Sequence, residues 1–498
     1  MAQPPPRRSA AGPTLYAFSR VWAQIAGGVL FLATSVRIGP AEFGEFAIAT
    51  SIFGALSVFV GQGTYEYVIK ARESDNAAPT VFFVNLLTAS LASVLAIVVG
   101  LAIPHIVHSE SIGRMLMLLI PAFYLLSMNT LMESVIMKHG EIKKVAVASL
   151  VTETVALGVA LTALMSGAGV LALVFQRITR EGVIMLSYAV TSRWSPRIAF
   201  HFDEAAKALA FARNIIATRF IGLGSVAAVD VLIGAGLGTA DAGLFRLVSR
   251  LLTMASDVLF QPFRAMMWVS LPPLQHDRAA FGRTSLQLLE VFGVGFFALM
   301  AGAALIAGPV FPLVFDPEWH NAASIVLILA VARLVGIPAY LCEVVFALQN
   351  RTGTMAATAL FGAVLSAAAA FLVAPYGLLP LAFSMVAVAI VTQIYVLPAV
   401  ARSSGMPIMA YLGLVGRLSL NAAMMTAFVG PWVLLTPRIG LSGWALVASA
   451  VMIGAAVYAV AARRFTPHGY GAYEGAVLSG FNRLRRLREG RPSDQPEG

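Results

Sequence analysis

The chain is predicted to fold as an all-α polytopic membrane protein of about 14 transmembrane helices, built as two parallel-repeat six-helix lobes plus two extra C-terminal helices. Three observations predict this. Of the 498 residues, 59% are hydrophobic and 12% charged, with a mean hydropathy of +0.83. So apolar a chain cannot hide its surface from water as a soluble protein of this size. Apolar runs of about 20 residues, the length that crosses a bilayer core, recur between charged or Gly/Pro-rich breaks. Finally, one stretch occurs twice: Ser19–Phe46, SRVWAQIAGGVLFLATSVRIGPAEFGEF, returns as Thr218–Phe245, TRFIGLGSVAAVDVLIGAGLGTADAGLF, with matched residues 199 positions apart.

In chain order, residues 1–13, with three consecutive prolines and the pair Arg7 and Arg8, read as a disordered cytoplasmic arm. The N-lobe, 14–190, holds spans near 14–36, 43–68, 79–103, 114–137, 145–165 and 169–190. A cytoplasmic loop over 191–213 follows, in which Phe202, Ala206 and Leu209 share one side of a helix suited to lying on the membrane surface. The C-lobe, 214–398, holds spans near 214–236, 244–270, 285–307, 321–347, 354–373 and 377–398. Spans 13 and 14 occupy 411–435 and 440–461, and a basic tail, 463–498, sets Val477, Phe481 and Leu484 among Arg483, Arg485, Arg486 and Arg488. The duplication continues beyond the opening stretch. Leu131–Leu150 resembles Leu341–Leu360, with Glu133 matched to Glu343 at an offset of 210, and Ala168–Phe175 resembles Tyr376–Phe383. The larger offset implies an insertion in the second half, placed at the Leu271–Arg283 loop.

The net charge of +10 does not indicate nucleic acid, because the basic residues lie on one side of the predicted topology. Lys70, Arg72, Lys138, Lys143, Lys144, Arg193, Arg197, Lys207, Arg278, Arg283, Arg351, Arg402 and the tail fall on the side of the N-terminus, against Arg37 and Arg438 on the other. This positive-inside pattern puts both termini in the cytoplasm. Cys342 is the only cysteine, so no internal disulfide forms. Outer loops are minimal, the longest being 308–320, and none holds a folded domain. The chain shows no metal-ligand His/Cys spacing, phosphate loop or nucleophile triad, so no cofactor or metal and no enzymatic activity is expected.

Charges inside the hydrocarbon are costly and mark function by default, with snorkelling or ion pairing as the alternatives. On span 8, Arg246, Arg250, Asp257 and Arg264 form one stripe with Ser249 and Thr253, a face that needs a water-filled cavity or a partner helix. Arg177 and Arg180 lie near the middle of span 6, where Glu181 can pair with Arg177 at i,i+4. Arg333 lies equally deep in span 10, and Arg20 and Arg219 occupy matched positions in the two repeats. These seven arginines, Arg20, Arg177, Arg180, Arg219, Arg246, Arg250 and Arg333, are the candidate substrate contacts. Glu133, Glu153, Asp230, Asp257, Glu290 and Glu343 are candidates for proton or sodium coupling or for ion pairs with them. Arginine keeps its charge and presents a planar fork matched to phosphate oxygens, so the ligand is expected to be an anion, best an amphiphile with a phosphate head.

The segment RIGPAEFGEFAIATSIFGALS, Arg37–Ser57, following a first helix that bears Arg20, resembles the polysaccharide-type lipid-linked oligosaccharide flippases. Their superfamily includes the lipid II flippase and multidrug and toxin extruders. The resemblance implies translocation of an undecaprenyl-pyrophosphate-linked glycan across the bacterial cytoplasmic membrane by alternating access. It also implies a cationic cavity to which Arg20, Arg246 and Arg250 correspond by position, with membrane lipids and polysaccharide polymerase machinery as further partners. Ala47 stands where the first repeat would match Arg246, so the cavity is expected to draw more of its charge from the second half. Two alternatives stay open: a cation-coupled multidrug extruder, which would favour an acidic cavity, and a membrane glycan polymerase or ligase, which would need a large external loop.

Overall fold

The computed structural model describes residues 11–71, 76–192, 199–436 and 442–475. The amphipathic tail around Phe481, most of the N-terminal arm, and Arg72, Arg193, Arg197 and Arg438 lie outside the described residues. The helices are α1 (Ala11–Arg37), α2 (Pro40–Ser57), α3 (Thr64–Lys70), α4 (Ala77–Val107), α5 (Glu110–Leu118), α6 (Ile120–Lys138), α7 (Ile142–Met165), α8 (Leu171–Thr191) and α9 (Phe202–Leu237). They continue as α10 (Thr239–Ser270), α11 (Arg278–Val314), α12 (Ala322–Val335), α13 (Ala339–Leu348), α14 (Thr352–Val373), α15 (Leu378–Ser404), α16 (Ile408–Leu435) and α17 (Gly443–Phe465). Among the described residues 11 helical stretches are long and apolar enough to cross a membrane. The remaining predicted spans fall on α2–α3, α8 and α10, whose charged residues lower their hydropathy. The protein is an all-helical polytopic membrane protein.

Three expected spans are broken rather than continuous. The second stops at Ser57 and turns through Gly61 and Gly63, both at φ +80°, before α3 begins. A Cβ at Gly63 would also press within 2.6 Å of Ala212 on α9. The fourth breaks at Leu119, ahead of Pro121, and the tenth at Gly336–Pro338. In both, proline removes a backbone donor and disfavours helical geometry in the residue before it. Conversely, the outer loop expected over 308–320 is helical through Val314, and α11 begins inside the predicted 271–283 insertion, at Arg278.

The interfacial helix expected near 202–213 is the first three turns of α9. Its buried face is Ala205, Ala208 and Ala212, and Phe202, Ala206 and Leu209 lie together on its exposed side, with Phe202 82% exposed. The small alanines let this segment approach closely, and Ala208 packs with Val68, Val81, Leu131 and Val135.

The chain packs as two compact units, Met1–Leu247 with Ser366–Leu378, and Val248–Leu365 with Leu379–Gly498. The sequence repeat begins again near 214, whereas the packing boundary falls inside α10. In the first unit α1 lies along α7, α7 on α8, α6 on α8 and α4, and α2 on α9 and α5. Its first copy of the repeat meets the start of the second at the initial turns of α2 and α10. A Cβ on Gly44 would collide with the Thr239 carbonyl, and a Cβ on Gly243 with the Pro40 carbonyl. The contact is reciprocal because Pro40 and Thr239, like Gly44 and Gly243, are 199 residues apart.

In the second unit α11 is the central post, packed by α12, α16 and α17. Phe263, Phe292 and Phe296 stack at centroid distances of 4.5 and 4.9 Å, with Tyr340 of α13 set against Phe292 at 5.1 Å. The chain after α17 folds back onto this post: the Gly469 N–H donates to the buried Glu290 carboxylate at 3.0 Å, and Asn421 donates to Thr466 Oγ1 at 3.0 Å. Overpacking a close backbone contact costs about 1–3 kcal/mol. Gly44→Ala and Gly243→Ala should therefore each lower the thermal unfolding midpoint of the detergent-purified protein by several degrees. Gly158→Ala on α7, which meets nothing within 4 Å, should leave it unchanged or raise it slightly.

Candidate functional site

The first unit gathers Arg20, Arg177, Arg180, Glu133, Glu153 and Glu181 into one network. On α8, Arg177 and Glu181 are one turn apart and pair at 3.3 Å, as their spacing predicts. Arg180 points to α7, where its Nε lies 2.8 Å from Glu153, and its Nη1 also reaches Glu181 at 3.5 Å. Asn129 of α6 donates to both the carbonyl and the carboxylate of Glu181 at 3.0 Å. Glu153 and Glu181 are buried, so these bonds replace the hydration that each carboxylate loses. The Arg177 guanidinium lies 5.1 Å from the centre of the Phe53 ring. Glu133 shares a hydrogen bond with Tyr188 and lies within electrostatic reach of Arg20 and Arg180, but makes no salt bridge among the described residues. Arg20 is exposed and donates to Tyr16 Oη at 2.5 Å. Three arginines here face three glutamates, and the network is close to neutral.

Two further cations of this unit are also answered. Arg219 pairs with Glu66 of α3 at 3.0 Å, and Arg246 with the buried Asp230 of α9 at 3.4 Å. Arg219 and Asp230, eleven residues apart on α9, thus each hold a different partner.

The second unit is arranged differently. Arg264 pairs with Glu343 of α13 at 2.5 Å, which removes Glu343 from the free acids. Glu290 is committed to the Gly469 N–H. Asp257 is half-buried and forms no ion pair among the described residues, and Arg250 is exposed on α10. Arg333 of α12 donates to Thr253 Oγ1 at 2.7 Å and has no acidic partner among the described residues. Thr253 gives its own hydroxyl hydrogen to the Ser249 carbonyl at 2.7 Å, so its oxygen is left as an acceptor aimed at the guanidinium. This relay orients Arg333 without neutralising it. A half-buried arginine held by a neutral hydroxyl retains a full charge and unused donors for an anion.

Sequence reasoning singled out Arg177, Arg180, Glu153 and Glu133, and the structure brings them together; it missed Asn129 as the partner of Glu181, Tyr188 of Glu133, Tyr16 of Arg20 and Glu66 of Arg219. Glu66 alone carried a usable signal, an acid near the inner end of an apolar run.

Residues 37–324 match the polysaccharide biosynthesis protein family. Among individual relatives, the succinoglycan biosynthesis transport protein ExoT of Rhizobium meliloti (strain 1021) is 22% identical over 311 residues, 60% of this chain. The matched region spans 61% of that relative, less than two thirds of its length. Among solved structures, the lipid II flippase MurJ in an inward closed conformation superposes with a TM-score of 0.72 at 13% identity, covering 91% of this chain and 98% of that one. An inward-facing multidrug resistance MATE family transporter of the MOP superfamily gives 0.61 at 13% identity, over 77% and 95%. At such identities the likeness speaks for the all-helical fold alone, and the sequence match speaks for the family: the chain belongs to the polysaccharide biosynthesis protein family.

Proposed function

We propose that the protein is a flippase that carries an undecaprenyl-pyrophosphate-linked oligosaccharide, an exopolysaccharide or O-antigen repeat unit, across the bacterial cytoplasmic membrane. Transport proceeds by alternating access through a cationic central cavity, with both termini in the cytoplasm. Arg333, held by Thr253 and facing no acid among the described residues, is the observation that carries this reading. A pyrophosphate presents several oxygens in the geometry a guanidinium fork accepts, and its charge compensates a cation that the protein leaves unanswered. The family, the transport role in the name of the rhizobial relative, and the shared fold with a lipid II flippase support the same substrate class. The multidrug extruder is disfavoured because, among the candidate coupling acids, Glu153, Asp230 and Glu343 are paired with arginines and Glu290 is held by the Gly469 N–H, leaving little to attract a cationic drug. Polysaccharide polymerase machinery is the natural partner on the side where the glycan is delivered.

Within this reading the first-unit arginines are positioning residues, and the anion contacts concentrate on Arg333, with Arg250 on α10 as the second. Glu133, tied to Tyr188 but to no salt bridge among the described residues, is assigned the coupling proton.

Arg333→Ala should reduce glycan export by about 10- to 100-fold, the loss of a hydrogen bond to a charged group, while membrane levels and thermal stability stay normal. Arg333→Lys should recover part of it. Equal export by Arg333→Ala and the wild type in a deletion strain would refute the assignment. Arg180→Ala should behave differently, because it leaves Glu153 and Glu181 buried and short of a cation. A fall in stability of about 2–3 kcal/mol, read as a lower unfolding midpoint and reduced membrane yield, is expected, and Arg180→Ala with Glu153→Ala should recover part of it. For coupling, Glu133→Gln in proteoliposomes should abolish the response of lipid-linked glycan translocation to an imposed pH gradient while leaving slow downhill flipping. An unchanged response removes Glu133 from the pathway.

A further inference from the structure

We propose that the turn between α15 and α16 forms a binding site for the headgroup of an anionic phospholipid, a function unconnected with the transported glycan. Residues Arg278, Ala279, Arg402, Gly405, Met406 and Ile408 line a depression of about 500 Å³ in the second unit. The turn is pinned against the first turns of α11. Gly405 sits at φ +75°, and a Cβ there would press on the backbone and Cγ of Arg278, while a Cβ on Gly282 would press on the Gly405 carbonyl. Ser404 Oγ accepts the Met406 N–H at 3.2 Å, closing the turn from within. Arg278 donates from Nη2 to the Arg402 carbonyl at 2.8 Å, which fixes its fork at the rim with other donors unused. Arg351 reaches the same turn from the chain between α13 and α14, donating to Ser403 Oγ at 3.4 Å.

No acid answers this cluster. Arg278, Arg351 and Arg402 form no salt bridge among the described residues. The adjacent Asp277 directs its carboxylate to the Ala279 and Ala280 N–H groups at 3.0 Å, capping α11. Three exposed arginines at one rigid turn thus present an unmatched positive charge. Beside them, the first turns of α16 expose Ile408, Met409 and Leu412, with Met409 80% exposed. Cationic donors at the end of two membrane-length helices, with apolar side chains next to them, fit an amphiphile: phosphate on the arginines, acyl chains along α16. Basic pockets of this kind hold the anionic lipids of the cytoplasmic leaflet, which is the leaflet the positive-inside rule gives these loops. A free phosphate would use the arginines but leave the apolar surface unused, so the lipid is the occupant that accounts for both.

The test is native mass spectrometry of the full-length protein titrated with phosphatidylglycerol, phosphatidylethanolamine or inorganic phosphate, with lipid-dependent shifts in unfolding midpoint as a second readout. The wild type should bind phosphatidylglycerol in preference to phosphatidylethanolamine. Arg278→Gln with Arg402→Gln should weaken phosphatidylglycerol binding about 30-fold, from two basic contacts at a membrane surface, and leave phosphatidylethanolamine unaffected. Arg351→Gln, which keeps the bond between Arg278 and the turn, should weaken it about 5-fold. Arg463→Gln with Arg464→Gln, the same charge change at the exposed end of α17, should stay within about twofold of the wild type. The proposal is overturned if the Arg278/Arg402 variant binds phosphatidylglycerol like the wild type. It is equally overturned if the α17 variant loses as much, which means diffuse attraction, or if inorganic phosphate alone stabilises as well as the lipid. If the Arg278/Arg402 variant is misfolded, Arg351→Gln decides alone.

Discussion

The contact of Gly44 with Gly243 constrains the first unit more than any other. Lipid chains are as apolar as the helix surfaces they cover, so helices in a bilayer associate through close packing rather than through exclusion of water. Where the first turns of α2 and α10 meet, the closeness is extreme: each glycine faces the carbonyl that opens the other helix. No side chain larger than hydrogen fits. That contact brings the start of the second repeat, including Asp241 to Phe245, against the first, and helps explain why the packing boundary lies within α10 rather than at the repeat boundary. The Gly-Pro-Ala-Glu-Phe-Gly stretch is therefore an architectural device whose form is imposed by duplication, since each copy has to accommodate the other.

Around this frame the electrostatics divides into two kinds of arginine. Those with acids across a helix boundary, Arg180 with Glu153, Arg219 with Glu66, Arg246 with Asp230 and Arg264 with Glu343, join neighbouring helices. In a medium poor in water an ion pair is costly to form but far more costly to half-break, so these pairs serve register more than net stability. Arg333 is of the other kind. Its oriented hydroxyl partner supplies direction without charge, where a carboxylate at the position of Thr253 would make a structural pair.

Much of the fold was legible in the sequence, because apolar runs of membrane-spanning length report a constraint that the bilayer applies locally, and the 199-residue repeat marks the helices that recur. The Arg177–Glu181 pair was legible for the same reason, as one helical turn is a local distance. The partners of Arg180, Arg219 and Arg264 were not, since Glu153, Glu66 and Glu343 are 27, 153 and 79 residues away and only packing joins them. Helix breaks were half-legible: Gly61, Gly63 and Pro338 were visible, but the runs around them stay apolar across the break. The face of 202–209 that packs on the protein was not legible, because it was selected by size and not by hydrophobicity, alanine being small enough to admit α3, α4 and α6.

The repeat also dates the charges relative to the architecture. At the 199-residue offset, Arg246, Arg250, Asp257 and Arg264 of α10 correspond to Ala47, Ser51, Val58 and Tyr65 of the first copy. Ala47, Ser51 and Val58 are buried. The packing residues Gly44 and Gly243 remain identical while the charges of the stripe are present in one copy and absent from the other. Along the same stretch the first copy ends α2 at Ser57 and turns through Gly63, whereas the second continues its helix through the matched Pro262. That break sets Glu66 on the separate helix α3, within reach of Arg219, whereas the unbroken α10 carries Arg264 to Glu343. Identical scaffolding with divergent charge is what a duplicated bundle shows when geometry is held by backbone contact and ligand chemistry is free to settle on one copy. Arg333, anchored by the stripe residue Thr253, belongs to the copy that carries these charges.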